Sequence, residues 1–319
     1  MTRRIMRGTG AAILLLAMLA GCGKDQRALL PDSSGRAYEV LLATDDTACA
    51  NTVEKVLSAN CEALPQPEPR FDVVKVQTTT LNATTQMARS IVIIQKDGKL
   101  TTTAIRYEKD VYARPQRLVL ISTPSAAALK RDLQGCRAEQ LCQLLTSHEI
   151  EAEQTRLRKD NSSWAGRQAD SLFHVRMFVP KELTRHKQGK DFLWMSNDAP
   201  QAMRNICLYS YLGQTLRAEE LIARRDSIMQ RNIPGEHDGM YMQTARTITA
   251  RQEHGRLMVS GLWEMRGDMM GGPFVAHAIA DSIHKRIVVA EAFVYAPEQM
   301  KRNIMRQLEA ALYTFSINQ

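Results

Sequence analysis

The segment Leu257–Phe274, LMVSGLWEMRGDMMGGPF, carries the strongest structural signal in this chain of 319 residues. Its apolar first half predicts a strand over 257–265, and two further long strands are predicted over 274–280 and 286–295. Between the first two strands, a glycine pair before Pro273 permits backbone angles that are closed to other residues. The segment therefore predicts a tight hairpin within an antiparallel sheet.

The same hairpin contains a candidate interaction surface. Its five residues are Trp263, Arg266, Asp268, Met269 and Met270. A large aromatic side chain and two methionines offer adaptable apolar contact, and the two charged side chains would set the orientation of a partner. A turn packed under the tryptophan explains the same residues without any partner. The sequence leaves both interpretations open.

The rest of the chain predicts an α+β protein. Short apolar runs bounded by turn residues predict strands over 38–43, 71–76, 90–95, 101–107, 117–122, 173–179, 192–195 and 205–211. Helices are predicted over 47–60, 124–159, 219–230 and 298–314, the second of them in two pieces around Gly135. Hairpin signals outnumber regular alternation of strands and helices. We therefore expect two similar α+β units, over 37–165 and 166–319, with mainly antiparallel sheets.

Two pairs of matching segments suggest that the units are related. The stretch Gln86–Ile93 parallels Gln201–Leu208, and a strand followed by Thr123-Pro124 and a helix parallels a strand followed by Ala296-Pro297 and a helix. The matched identities are few. Internal duplication and chance similarity of two strand–helix units both remain open.

The N-terminus predicts a lipoprotein signal peptide over 1–21. Three arginines precede an apolar run over 11–20, which as a helix rises only about 15 Å, too short for a hydrocarbon core of roughly 30 Å. Leu19-Ala20-Gly21-Cys22 then resembles the bacterial lipobox, in which the cysteine carries the acyl chains after cleavage. The alternative is an ordinary signal peptide with a chance cysteine. We expect Cys22 to be the lipid attachment site, followed by a flexible tether over 22–36.

The predicted anchor also predicts a location. Two or more acyl chains hold a protein stably at a membrane, whereas one chain does so only marginally. The residue after the cysteine is Gly23 and not the aspartate that resembles an inner-membrane retention signal. We therefore expect a protein lipid-anchored to the cell outer membrane. The sequence leaves open whether it faces the periplasm or the cell surface.

Composition and motifs exclude several classes of function. Loss of the signal peptide lowers the net charge from +8 to +5, and no basic block with interleaved aromatic residues is present, so we expect no nucleic-acid partner. His148-Glu149 begins a zinc motif, but alanine stands where the second ligand is needed. A carboxylate-rich loop over 236–239 reads as a solvated turn. We expect no metal, no cofactor and no catalytic residue recognisable from sequence.

Five cysteines remain after Cys22, namely Cys49, Cys61, Cys136, Cys142 and Cys207. Their odd number leaves at least one thiol unpaired within a monomer, and no pair has the spacing of metal ligands. We expect them to behave as small buried apolar residues.

Several stretches of the second half resemble one known family. They are Asp191–Trp194, Asn205–Tyr211, Leu221–Ile228, Ile233–Gly235, Gly261–Glu264, Met270–Phe274, Phe293–Pro297 and Arg306–Glu309. With these stretches the sequence resembles the domain of unknown function 4837 family of Bacteroidota lipoproteins, closely in the C-terminal half and more loosely before residue 165. The resemblance implies a lipoprotein context and supplies no catalytic residues.

Three classes of function follow. A non-enzymatic binding or scaffolding module of the envelope is favoured, held to the membrane through its acyl anchor and with an envelope protein or glycan as partner. An envelope hydrolase or another enzyme is the second class, because such sites are assembled from scattered residues. A structural spacer is the third class, and it should show neither a cleft nor an exposed apolar patch.

Overall fold

A computed structural model describes residues 30–318 of the chain. The predicted signal peptide, Cys22 and the first part of the predicted tether lie outside the described residues. Within them, no helix is both long and apolar enough to cross a membrane.

The N-terminal unit is built on a five-stranded sheet. Its elements are β1 (Glu39–Ala43), α1 (Thr47–Leu57), β2 (Asp72–Val76), β3 (Ser90–Lys96), β4 (Ala104–Lys109), β5 (Arg117–Thr123), α2 (Ala126–Asp132) and α3 (Cys136–Lys159). The strand order is β2-β1-β3-β5-β4, and all neighbours are parallel except β4 and β5. The central strands are continuous apolar runs, as strands buried on both faces require. Asp46 is the N-cap of α1, and its carboxylate accepts the Cys49 N–H at 2.9 Å.

The C-terminal unit is built on a larger antiparallel sheet. Its elements are α4 (Ser163–Phe173), β6 (Val175–Arg176), β7 (Arg185–Gly189), β8 (Phe192–Ser196), β9 (Met203–Leu212), α5 (Ala218–Asn232), β10 (Tyr241–Glu253), β11 (Arg256–Arg266), β12 (Gly271–Asp281), β13 (Arg286–Tyr295), α6 (Arg302–Leu312) and β14 (Ser316–Ile317). Seven strands form the order β10-β11-β12-β13-β9-β8-β7, and β14 pairs with β6. α4 and α6 pack on one face of this sheet and α5 on the other.

The hairpin predicted from the opening segment is present as β11 and β12. Trp263 lies opposite Gly272 in the ladder. A Cβ atom added at Gly272 would collide with the carbonyl oxygen of Val294 on the backbone behind it. The glycine is therefore required because two strands approach too closely for any side chain.

The predicted fold class is confirmed: the protein is α+β, has two units, and pairs most of its strands antiparallel. The suggested similarity of the units needs correction, because their strand orders and directions differ. In the first unit β1 and β2 are joined through the crossover helix α1, which makes them parallel, whereas tight turns join the long strands of the second. The strand predicted over 173–179 is present only as the two residues of β6, since Phe173 ends α4 with its ring in the core and the chain after Arg176 is irregular.

A buried ion pair lies in the core between α5 and the C-terminal sheet. Arg225 of α5 and Glu291 of β13 are both fully buried, and the guanidinium donates to the carboxylate at 2.7 Å. The Tyr209 hydroxyl donates to the same carboxylate at 2.9 Å, and Arg225 also donates to Thr244 at 3.0 Å. Burial favours the neutral acid, so desolvation raises the pKa of Glu291 even though Arg225 opposes it. The pair is tolerated because its hydrogen bonds are largely satisfied inside the protein.

The two units are joined through one buried carboxylate. Glu68, in the proline-rich loop after α1, accepts the backbone N–H of Lys301 at 2.7 Å and that of Arg302 at 2.8 Å. These two N–H groups lie at the N-terminus of α6, so a side chain of the first unit caps a helix of the second. Arg302 returns the contact by donating to Asp72 of β2 at 2.8 Å. The cap holds α6 against both units.

We predict that Glu68→Ala lowers the free energy of unfolding by about 1–3 kcal/mol, because it leaves two buried N–H groups without an acceptor. Denaturant titration of the purified protein measures this change. Glu62→Ala is the matched control, since Glu62 belongs to the same loop but is exposed, and it should change stability by no more than about 0.5 kcal/mol. Equal effects of the two substitutions would contradict the cap.

Candidate functional site

A cleft of about 630 Å³ lies between the two units, and we call it the inter-unit cleft. Its lining comes from four places: the loop over 61–64, α3, the strands β10 to β12, and α6. α6 packs against β12 and β13, which leaves the neighbouring surface of β10 and β11 open toward α3. The cleft therefore exists because α6 covers only part of the sheet.

Charged side chains line the cleft in pairs. Arg70 of the N-terminal unit contacts Glu139 of α3 at 2.5 Å, and Arg306 contacts Glu309 one turn further along α6 at 3.0 Å. Burial lowers the pKa of the Arg306 guanidinium, but Glu309, Tyr38 and Cys61 together outweigh it, so the pKa lies above its usual range. These pairs fix the walls of the cleft and neutralise most of their charge.

Arg251 on β10 is the unpaired arginine among the described cleft residues. Its guanidinium is exposed and donates to the Tyr313 hydroxyl at 3.3 Å, and no carboxylate of the described residues pairs with it. Burial raises the pKa of Tyr313, and the charge of Glu309 raises it further, so this hydroxyl stays protonated. A guanidinium and a phenol thus present donors to the cleft, beside the hydroxyl groups of Thr249 and Ser260.

A buried histidine supports this end of the cleft. The His277 ring lies edge-on to Tyr313, with centroids 4.7 Å apart, and its Nδ1 is 3.1 Å from the Arg256 guanidinium. Burial lowers the pKa of His277 to about 3, and the charge of Arg256 adds to the effect. The ring is therefore neutral at physiological pH, so it packs beneath Tyr313 and carries no charge into the cleft.

The predicted interaction surface lies elsewhere, at the connection between β11 and β12. Trp263 is only 3% exposed: its indole N–H donates to the Val294 carbonyl at 3.3 Å, and its ring contacts Phe293 edge-on. It is therefore a core residue and cannot contact a partner, which corrects that part of the interpretation. Met269 is 100% exposed at the tip. Arg266 and Asp268 are exposed beside it and Met270 is half-buried, so for these four residues the surface stays a prediction.

The other motifs singled out in the sequence take structural positions. His148 and Glu149 lie on the buried face of α3, where Glu149 accepts from Arg89 at 2.8 Å. Burial lowers the pKa of His148 to about 4, helped by two nearby arginines. Residues 236–238 lie exposed in the loop before β10. Across the residues 30–318, no group of three metal-ligating side chains converges on a point.

The cysteine side chains differ in burial more than the sequence predicts. Cys49, Cys142 and Cys207 are buried, but Cys61 is half-buried and Cys136 is exposed at the start of α3. The expectation of uniformly buried thiols is thus wrong for Cys136. Cys61 and Cys142 both line the inter-unit cleft.

Sequence reasoning missed the cleft because its residues are scattered. The lining combines residues near 61–70, 139–154, 249–260 and 302–313, which come together only when the two units dock. No motif spans these segments. The one usable signal is the proline-rich loop, since Glu68 stands between two prolines that stiffen the backbone.

The fold and cleft define a two-unit α+β protein with a candidate binding site between its units. The C-terminal unit matches the family described as Domain of unknown function (DUF4837) over residues 162–314. The resemblance seen in the sequence is confirmed there, and this unit belongs to that family. The N-terminal unit matches a different family, described as Domain of unknown function (DUF8532), over residues 33–158. Two separate families agree with the different topologies of the two units.

Comparison with known proteins beyond these families gives little. Among curated protein sequences none matches this chain. The crystal structure of the Saccharomyces cerevisiae RAN-binding protein Mog1p is similar at 10% identity, covering 46% of this chain and 90% of that chain, with a TM-score of 0.32. A structure of a Mog1 mutant is similar at 9% identity, covering 45% and 90%, with a TM-score of 0.28.

We predict opposite effects for two residues of the β11–β12 connection. Trp263→Ala should lower the free energy of unfolding by about 3–5 kcal/mol, because it truncates a buried aromatic side chain. Met269→Ala should change it by less than about 0.5 kcal/mol, because the side chain is in solvent. Chemical denaturation of both variants measures the difference. A large loss of stability in the Met269 variant would show that the tip is packed and would remove it as a candidate surface.

Proposed function

We propose that this protein is a lipid-anchored module of the cell envelope that binds an envelope protein or glycan in the inter-unit cleft, without catalysing a reaction. The observation that carries the proposal is the cleft itself. Its volume of about 630 Å³ lies within the range of roughly 300–1,000 Å³ that is typical of ligand sites. A structural spacer has no need of such a cleft, which makes that class of function less favoured.

The chemistry of the cleft favours binding over catalysis. Of its carboxylates, Glu139 and Glu309 are engaged by arginines and Glu151 by Lys109, so none of these three is free to act as a general base. Glu62 and Glu253 are exposed, and neither forms a hydrogen bond with a nucleophile among the described residues. Its one histidine, His254, is exposed on the turn between β10 and β11, and no described residue forms a nucleophile–base hydrogen bond with it. The remaining groups, hydroxyls, amides and the Arg251 guanidinium, are suited to hydrogen bonding a polar ligand.

The course of the chain supports an anchor close to the N-terminal unit. Asp32 and Ser34 form bridges to Arg114 and Ala88, which fixes the start of the described chain to the end of the sheet where β3 and β5 begin. Cys22 and residue 30 are eight positions apart, a reach of at most about 29 Å. An acyl chain on Cys22 would therefore keep the N-terminal unit nearer to the membrane.

The anchor is tested first. We expect Cys22→Ser to move the protein from the membrane to the soluble fraction, because the lipobox cysteine is the residue that carries the acyl chains. Cell fractionation and mass spectrometry of the N-terminal peptide measure the change. A variant that remains cleaved and membrane-bound would show that another feature holds the protein there.

The cleft is tested by photo-crosslinking in intact cells. Gln143 and Gln140 both lie exposed on α3, but only Gln143 lines the cleft. A photo-reactive amino acid at position 143 should give a discrete adduct with an envelope protein or glycan, and the same amino acid at position 140 should not. Arg251→Glu should abolish the adduct by reversing the charge of the unpaired arginine in the cleft. Equal adducts at both positions, or none at 143, would contradict a binding role for the cleft.

A further inference from the structure

Two thiols lie on the same wall of the inter-unit cleft. Cys61 follows α1 in the proline-rich loop, and its N–H is fixed to the Glu68 carbonyl at 2.7 Å. Cys142 lies in α3, with its sulfur 3.7 Å from the Val56 carbonyl at the end of α1. The two residues are 81 positions apart in sequence, so only the tertiary structure brings them to one surface.

Each thiol has a guanidinium beside it. Arg306 of α6 lies with its Nη2 3.8 Å from the Cys61 sulfur. Burial raises the pKa of Cys142, and the neighbouring Arg70 opposes that effect, while charge on Cys61 adds to it. A cationic neighbour favours the thiolate, which is the reactive form of cysteine. The loop that holds Cys61 is fixed against the turn of α3 that holds Cys142, because Arg70 at the end of this loop pairs with Glu139 at 2.5 Å.

The two thiols differ in their exposure to solvent. Cys61 is half-buried and opens to the cleft, whereas Cys142 is only 2% exposed. Reactive cysteine pairs commonly combine an accessible thiol that meets the oxidant with a second thiol that resolves the intermediate. Cys49 and Cys207 are buried in separate cores, and Cys136 is exposed outside the cleft, so they do not share this arrangement.

We propose that Cys61 and Cys142 are a redox-active thiol pair that closes into an intramolecular disulfide on the wall of the inter-unit cleft. The oxidant is a small-molecule disulfide such as glutathione disulfide. The Cys61 thiolate attacks one of its sulfurs and releases one thiolate, which leaves a mixed disulfide on Cys61. Cys142 loses its proton and attacks the Cys61 sulfur, releasing the second thiolate. The protein loses two electrons and two protons, and the oxidant becomes two thiols.

The disulfide would have a structural consequence. It would tie the loop that carries Glu68 to α3, and Glu68 caps α6 of the other unit. Oxidation would therefore restrain the loop that joins the two units, at the edge of the cleft. The proposal depends on the position of the two sulfurs and not on what the cleft binds.

Peptide mapping of the full-length protein in detergent tests the pair. The folded protein is incubated with excess glutathione disulfide or with dithiothreitol, remaining thiols are blocked with N-ethylmaleimide, and trypsin is added without reduction. Cleavage places Cys61, Cys142 and Cys136 on three separate peptides, spanning 56–70, 138–156 and 132–137. We expect peptide 56–70 linked to peptide 138–156 in the oxidised sample and absent from the reduced one.

Two variants give the controls. Cys136→Ser should leave the linked peptide unchanged, because Cys136 lies outside the cleft. Cys61→Ser should abolish the link and leave the buried Cys142 free of glutathione. The proposal is wrong if peptide 56–70 is recovered linked to peptide 132–137 or to a second chain. It is equally wrong if Cys61 in the wild type stops at the glutathione adduct.

Discussion

The carboxylate of Glu68 on the N-terminus of α6 is the contact on which the two-unit arrangement depends. The first turn of any helix has N–H groups without partners inside the helix, and burying them without an acceptor is costly. Here the acceptor comes from the other unit, more than 230 positions earlier in the chain. The same two hydrogen bonds thus satisfy the N-terminus of α6 and fix the position of the second unit. Arg302, which donates to Asp72 and to the Pro69 carbonyl, makes the contact reciprocal.

The position of α6 in turn determines the cleft. One side of the helix is apolar and packs on β12 and β13, where Leu308 and Leu312 are buried in the core. Its remaining residues, among them Arg306 and Tyr313, face the space below α3. Because α6 leaves β10 and β11 uncovered, the sheet surface there is open to a ligand. The same helix therefore closes a core and forms the wall of a candidate binding site.

The wall of the cleft and the accessible thiol share one arginine of α6. Arg306 neutralises Glu309 and lies beside the Cys61 sulfur, so a single side chain of the C-terminal unit affects both the charge of the cleft and the environment of its accessible thiol. Polar groups deeper in the fold, such as Arg225 and Glu291, satisfy one another and have no path to the cleft. The charged side chains of the core and those of the cleft thus differ in their access to solvent.

The α+β class, the long strands of the second half and the hairpin around Gly272 could be predicted from the amino-acid sequence, because they depend on local periodicity and on backbone angles that few residues allow. The break between α2 and α3 could be predicted as well, since it falls at Gly135, which has a positive φ. That the first sheet is mainly parallel emerged only from the folded protein, since the pairing of β1 with β3 across two connections leaves no local signal. The burial of Trp263 and the inter-unit cleft were decided there as well. Both depend on which distant segments pack together, and packing of that kind is set by the whole core and not by the spacing of neighbouring residues.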